Sequence, residues 1–368
     1  MRARRSPSPP RDVEGAAQRR ARRKYPLGET CSKLPHRRGS QPIVDARWAG
    51  KEVTSRERNM PTEAGRPTMT ADAQGNTGDF ASSDADPVLS LVCTTVGRPE
   101  ALRWLAASVA ASEMAERVEF VLVDQSVDQS CTEVIRAMNL PGPVHVTTSG
   151  RGASAGRNAG TPLATAPILG YPDDNCWYPP QTLRAVVETL AEHPELSGVG
   201  GIQITADGRP SMLRWRDRPD VITRRNFMHT SICSTVFLRR TALPSAAPFD
   251  EWIGTGSPGR RGAGEESDLL LRIIAAGHTL GYRPELKIYQ DDHRDEPTEA
   301  FIEKMHKYGV GNGHLWRRHR LAPHRLAYYS ARKLVGAGLH TVRREPVLAR
   351  ADLAYLSGQL RGWLGTES

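Results

Sequence analysis

The sequence predicts an α/β fold, a mainly parallel sheet flanked by helices and followed by a C-terminal helical extension. Three observations carry this. From Val88 onward, short apolar β-rich runs alternate with amphipathic helical segments. Polar residues gather where those apolar runs end, and the composition of the chain changes near residue 87. Parallel neighbours need crossover connections, and the intervening helices supply them.

The first strand is "VLSLVCTT" (88–95), buried by its composition, and "RPEALRWLAASVAAS" after it carries Leu102, Leu105 and Val109 at helical spacing. "EFVLVDQS" (119–126) is a second strand ending in Asp124, "VHVTTS" (144–149) a third, and "APILGYPDD" (166–174) a fourth that ends in Asp173 and Asp174. "QTLRAVVETLAEHP" restores the helical period through Leu183, Val186 or Val187, and Leu190. "GVGGIQIT" (198–205) and "SICSTVFLRR" (231–240) are further strands, separated by a long polar stretch. A Gly-rich loop then opens into a helix at about Glu265 that stops at Gly277, and "HTLGYRPELKIYQDDHRD" is a last strand-like segment with His293 in its polar end.

The 368 residues carry a net charge of +9, but residues 1–59 hold 16 basic against 6 acidic side chains, which leaves residues 60–368 at −1. The predicted folded part therefore offers no basic excess for nucleic acid, and none is expected as a partner. Residues 1–86 are rich in Arg, Pro, Ser and Gly without apolar period and read as a disordered basic tail, or as sequence upstream of a start at Met60 or Met69. The expected organisation continues with the folded α/β domain over 87–320 and a helical extension over 321–368. Five scattered cysteines without CxxC spacing suit a reducing compartment and give no zinc site. No run of 18 apolar residues occurs, so the expectation is a cytoplasmic protein with no spanning segment.

In open sheets of this class ligands bind beyond the carboxyl ends of the strands. Thr94, Thr95, Asp124, Asp173 and Asp174 all fall at such ends. A lone Asp there is usually a turn former, whereas an acidic pair beside two other polar strand ends points to a site. Glu265, Glu266 and Asp268 lie in the first turn of a helix, where the dipole favours negative charge; following a Gly and Arg loop, one of them could also serve as a general base. "GRGASAGRNAG" (150–160) partly matches a dinucleotide fingerprint, but Pro162 and Pro167 leave little room for the long helix that motif needs. Arg157 and Asn158 read either as donors to a diphosphate or as braces for a neighbouring loop.

Taken in order, "TTVGRPEAL", "VLVDQS", "GRGASAGRNAG", "YPDDNCWYPPQTL" and "GAGEESDLLLRIIAAG" resemble family 2 glycosyltransferases of the GT-A fold, over about residues 88–320. The resemblance implies a Rossmann-like sheet and an inverting, metal-dependent hexosyl transfer in polysaccharide biosynthesis. It implies that Thr94, Thr95, Arg98 and Asp124 hold the base and ribose of a nucleotide-sugar, with Arg157 nearby. Asp173 would face the ribose and Asp174 a divalent cation, Mn or Mg, with Asn175 where the family often has a third acid. Glu266 would be the catalytic base and Glu265 its fallback. His293 matches a late metal or diphosphate ligand of some relatives, and Arg260 and Arg261 could clamp the diphosphate. The chemistry is coherent, because a nucleoside diphosphate leaves readily only when a hard cation neutralises it, and one base opposite the leaving group gives inversion.

The expected acceptor is a hydroxyl of a glycan or lipid-linked saccharide. Basic residues interleaved with Trp316, Tyr328, Tyr329, Leu334 and Trp363 suit helices that pack onto the catalytic domain or touch a membrane peripherally. The rival readings are a sugar-nucleotide nucleotidyltransferase, which wants more glycine than "TTVGRPEAL" has, and a silent nucleotide-sugar-binding protein.

Overall fold

The structure, a computed structural model, describes residues 86–290 and 297–366. The predicted tail and His293 lie outside the described residues.

Four parallel strands form the first half of the sheet, in the spatial order β3 (Val144–Thr147), β2 (Val118–Asp124), β1 (Leu89–Thr95), β4 (Ile168–Gly170). They are apolar throughout because both faces are covered. Leu89, Leu91, Cys93, Phe120 and Leu122 enter one core with α1 (Pro99–Ala110), α2 (Ser130–Met138) and α4 (Thr182–Glu192). Val92, Val121, Val123 and Leu169 enter the other with α5 (Glu265–Ala275). Between β3 and β4 the "GRGASAGRNAG" stretch folds as the short helix α3 (Ala153–Gly160). A Cβ at its last residue, Gly160, would meet Val92 at 2.6 Å, so glycine lets the helix sit directly on the sheet.

The second half is mixed. β8 (Val236–Arg239) inserts antiparallel between β4 and β6 (Leu196–Ile204), and β6 pairs parallel with the long β9 (Thr279–Gln290). β9 also takes β5 (Cys176–Trp177) and β7 (Asp220–Ile222) antiparallel at its two ends. The strand expected at 231–240 begins instead with a 3-10 turn, Cys233–Thr235, and becomes extended at Val236. The fourth strand is likewise shorter than 166–174.

Three helices follow: α6 (Glu299–Arg318), α7 (Pro323–Val342) and α8 (Pro346–Leu364). α6 and α8 touch backbone to backbone. A Cβ at Gly309 or Gly313 of α6 would lie 2.0 Å from the carbonyl oxygen of Tyr355 or Gln359, and one at Gly358 or Gly362 of α8 would lie 2.1 Å from that of His306 or Val310. Small residues spaced by four on both partners permit this approach. α6 is also tied to the half that holds the sheet, since the buried Asp268 of α5 accepts from His319 Nε2 at 2.8 Å and pairs with Arg318 at 3.0 Å.

Candidate active site

The site forms where β1, β4 and the start of α5 converge. β1 ends in Thr94 and Thr95, and the chain turns through Gly97 at φ +104 before Pro99 opens α1. Thr94 forms an isolated parallel bridge with Asp173, which carries the acidic pair alongside the β1 end. The Thr95 hydroxyl donates to Asp174 Oδ2 at 2.6 Å. Arg98 donates from Nε to the same oxygen at 3.0 Å and pairs with Oδ1 through its second nitrogen. The Asp174 side chain is wholly buried while that of Arg98 is half-exposed, so the carboxylate is fixed and the guanidinium reaches it from the solvent side.

Asp173 faces the other way and its side chain is about one-third exposed. Its Oδ1 accepts from Arg157 at 3.2 Å, and the second terminal nitrogen of Arg157 donates to Glu265 Oε1 at 3.0 Å. Arg157 itself is buried on α3 and lies over the Phe249 ring at 5.4 Å. One buried guanidinium thus joins the acidic pair to the first residue of α5, although these residues lie far apart in sequence. Burial raises both aspartates above the ordinary carboxylate range, against the pull of Arg157 and Arg98.

Glu266 follows Glu265 and accepts from the Ser267 hydroxyl at 3.1 Å. It borders a small apolar recess with Tyr171, Phe249 and Leu269. Burial and then the charge of Glu265 push its carboxyl up to about 7. That is the range in which a carboxylate is an effective proton acceptor at neutral pH. Asp268, by contrast, is held below the carboxylate range, since His319, Arg272 and Arg318 outweigh its burial. The third acid of "EESD" is a structural clamp between α5 and α6.

The Gly-rich loop before α5 is fastened down. Ser154 Oγ donates to the Ile253 carbonyl at 2.6 Å, Ala153 N to that of Thr255 at 2.9 Å, and Gly262 N to that of Lys307 at 3.0 Å. Gly254, at φ +113, lies so close to the Glu265 carboxylate that a Cβ would approach it to 2.9 Å. Asn158 is the brace of the two readings open from sequence: it donates to the Phe249 carbonyl and to Glu251, and accepts from Phe249 N at 2.9 Å.

Asp124 sits beside Thr95 in register, but its carboxylate is filled by local donors, Ser126 N and Oγ on Oδ1 and Thr132 N and Oγ1 on Oδ2. It shapes the loop from β2 to α2. Gln125 does similar work, donating to Ser149 Oγ at 2.8 Å and to the Gly152 carbonyl at 3.0 Å; the sequence reading missed it. Asn175 accepts from Gln290 Nε2 at 2.9 Å and closes the end of β9. Thr94, Thr95, Arg98, Arg157, Asp173, Asp174, Glu265 and Glu266 are therefore gathered, with Asp124 one strand away.

Asp173 and Asp174 supply hard oxygen donors of the kind Mg and Mn take. Among the described residues no group of three or more His, Cys, Asp or Glu is gathered as a ligand set. The acidic pair fits a divalent cation by donor chemistry, and Arg98 is the group such a cation would displace from Asp174.

Residues 90–242 match the family described as Glycosyl transferase family 2. Among curated proteins, none matches the chain. Among solved structures, the mannosyltransferase PcManGT from Pyrobaculum calidifontis in complex with GDP-Man and Mn2+ is similar at 14% identity and a TM-score of 0.53, covering 78% of this chain and 90% of that one. TarS residues 1–349 from S. aureus in complex with UDP-GlcNAc match at 15% identity and a TM-score of 0.47, covering 76% and 92%. The first of these likenesses establishes a common fold; α5, with Glu265 and Glu266, lies outside the stretch matched to the family.

Proposed function

We infer, from a chain whose residues 90–242 form a glycosyl transferase family 2 domain, that this glycosyltransferase moves a hexosyl group from a nucleoside diphosphate sugar to an acceptor hydroxyl, with inversion. The observation that carries the reading is the double pairing of Arg157, which holds Asp173 and Glu265 in one site. A donor-binding edge and a basic carboxylate are thereby fixed relative to each other, as a displacement reaction requires.

In this reading the β1 turn, with Thr94, Thr95 and Arg98, receives the nucleoside, and Asp173 accepts from ribose hydroxyls. Arg98 is solvent-facing and long enough to leave Asp174 for a phosphate oxygen. Asp174 would hold a divalent cation, whose chemistry is to neutralise the charge of the departing diphosphate. Glu266 Oε takes the proton of the acceptor hydroxyl, and the recess beside it keeps its carboxylate poorly solvated and therefore basic at neutral pH. A single base on the face opposite the leaving group is all that inversion needs. Glu265, tied to Arg157, sets the position of that base. The acceptor class that suits the family is a glycan or lipid-linked saccharide in polysaccharide biosynthesis, reached at the cytoplasmic side, where nucleotide-sugars are available.

The test is a calorimetric titration of the full chain with UDP, dTDP and GDP, with and without Mn, repeated on Asp173→Asn and Asp174→Asn. Metal-dependent binding of one nucleotide, weakened about tenfold or more in either variant, is the expected outcome. If none of the three nucleotides binds under either condition, the donor assignment fails.

A further inference from the structure

α7 is built inside out. Two of its titratable side chains point into the protein: Lys333 is 8% exposed and pairs with Asp352 of α8 at 2.5 Å, and His340 is 5% exposed and pairs with Glu345 at 2.6 Å. Ser330 on the same side donates to Gln359 at 2.6 Å. The opposite side carries Tyr328, Leu334, Val335, Leu339 and Val342, all exposed, with the guanidinium of Arg332 lying over the Tyr328 ring at 5.6 Å; Val342 is 81% exposed. Residues 328, 335 and 342 are spaced by seven and so fall on one stripe. α8 adds exposed Leu353, Leu360, Trp363 and Leu364, so nine of the fifteen large apolar side chains left exposed among the described residues lie on these two helices. A helix in a purely aqueous setting orders its faces the other way.

The charge around this stripe selects the partner. From Pro323 to Leu364 the sequence has seven Lys and Arg against two acids, Glu345 and Asp352, and both acids are spent on His340 and Lys333. Arg350 is paired with Glu299 of α6, whereas Arg343, Arg344 and Arg361 are exposed, so the outward surface of the two helices is apolar and carries a basic excess. A second copy of the chain would set these arginines against their own kind, and residues 1–59 are themselves strongly basic. An anionic bilayer surface offers both the opposite sign and the apolar depth. No described helix is long and apolar enough to cross a membrane, so the geometry is that of a helix lying in the headgroup plane.

We propose that the outer face of the α7–α8 hairpin docks this protein on an anionic lipid surface. The proposal is independent of the reaction at the catalytic site. The full chain is sedimented with vesicles of phosphatidylcholine alone and of phosphatidylcholine with phosphatidylglycerol, beside a Val335→Asp/Val342→Asp double variant. Amide hydrogen exchange of the unaltered chain is mapped with and without the anionic vesicles. The expected result is binding to the anionic vesicles only, at least about tenfold weaker in the variant, with new protection on α7 and α8. The exchange map needs no variant and stands even if the double variant misfolds. Equal binding by wild type and a folded variant, protection confined to residues outside α7 and α8, or no binding overturns the proposal. Self-association of the wild type without lipid, lost in the variant, overturns it in favour of a second copy.

Discussion

Glu266 carries the clearest consequence of any single residue. Its proton is retained up to about 7, so under the proposed base role the fraction able to accept a proton, and with it kcat, is expected to rise with pH through that value. Glu266→Gln is expected to lower kcat about 10²- to 10⁴-fold while leaving nucleotide affinity unchanged by calorimetry; an unimpaired kcat would pass the role to Glu265. Stability moves the other way. The folded state holds a proton that the unfolded chain releases at the ordinary glutamate value, so stability falls as pH rises from there to about 7. Urea unfolding across that window is expected to show the fall in wild type and a flatter profile in Glu266→Gln. The acidic pair, Thr95 and the "EESD" helix start were legible in sequence because strand ends and helix starts are local patterns. The partners of Arg157 were not, since pairing with both Asp173 and Glu265 depends on how α3 and α5 meet. Nor could Asp124 be told from a ligand-binding acid until the donors of Ser126 and Thr132 were seen to fill it.

At the level of elements, glycine marks two different situations. Gly309 and Gly362 have a facing carbonyl where a Cβ would go, whereas the Cβ position of Gly338, also inside a helix, meets nothing within 4 Å. Gly309→Ala or Gly362→Ala is therefore expected to cost about 1–3 kcal/mol by forcing α6 and α8 apart. Gly338→Ala is expected to gain about 0.5–1 kcal/mol from reduced chain entropy. Thermal and urea denaturation of the three variants checks the contrast, and equal effects would mean that the α6–α8 contact is not close. The spacing of these glycines is visible in "GVGNG" and "GQLRG", yet spacing does not say which helix is faced. The helices α1, α4 and α5 were legible from their apolar period. α2 was not, because its N-cap is Gln129 in a left-handed conformation and makes no side-chain capping bond. β5, at two residues, is too short for any period to register.

Across the whole molecule, the parallel half of the sheet could be read because strands buried on both faces leave continuous apolar runs. The mixed half could not. β8 reaches its antiparallel place between β4 and β6 only after the long polar excursion that follows β6, and local pattern carries no record of that path. The boundary expected at residue 320 divides α6 from the helix it packs against. Ending the chain there is expected to lower Tm and expose Val310 and the face of Gly309 and Gly313, measured by calorimetry and by light scattering; an unchanged Tm would make α7 and α8 an independent appendage. The backbone-to-backbone contact between α6 and α8 also sets an order of events on the ribosome. α6 leaves the exit tunnel before α7 and α8, and its glycine face has no neighbour until Gly358 and Gly362 have emerged. The sheet-bearing half can therefore be complete while the nascent chain still carries an unpaired helix, an interval in which a holdase would meet it first.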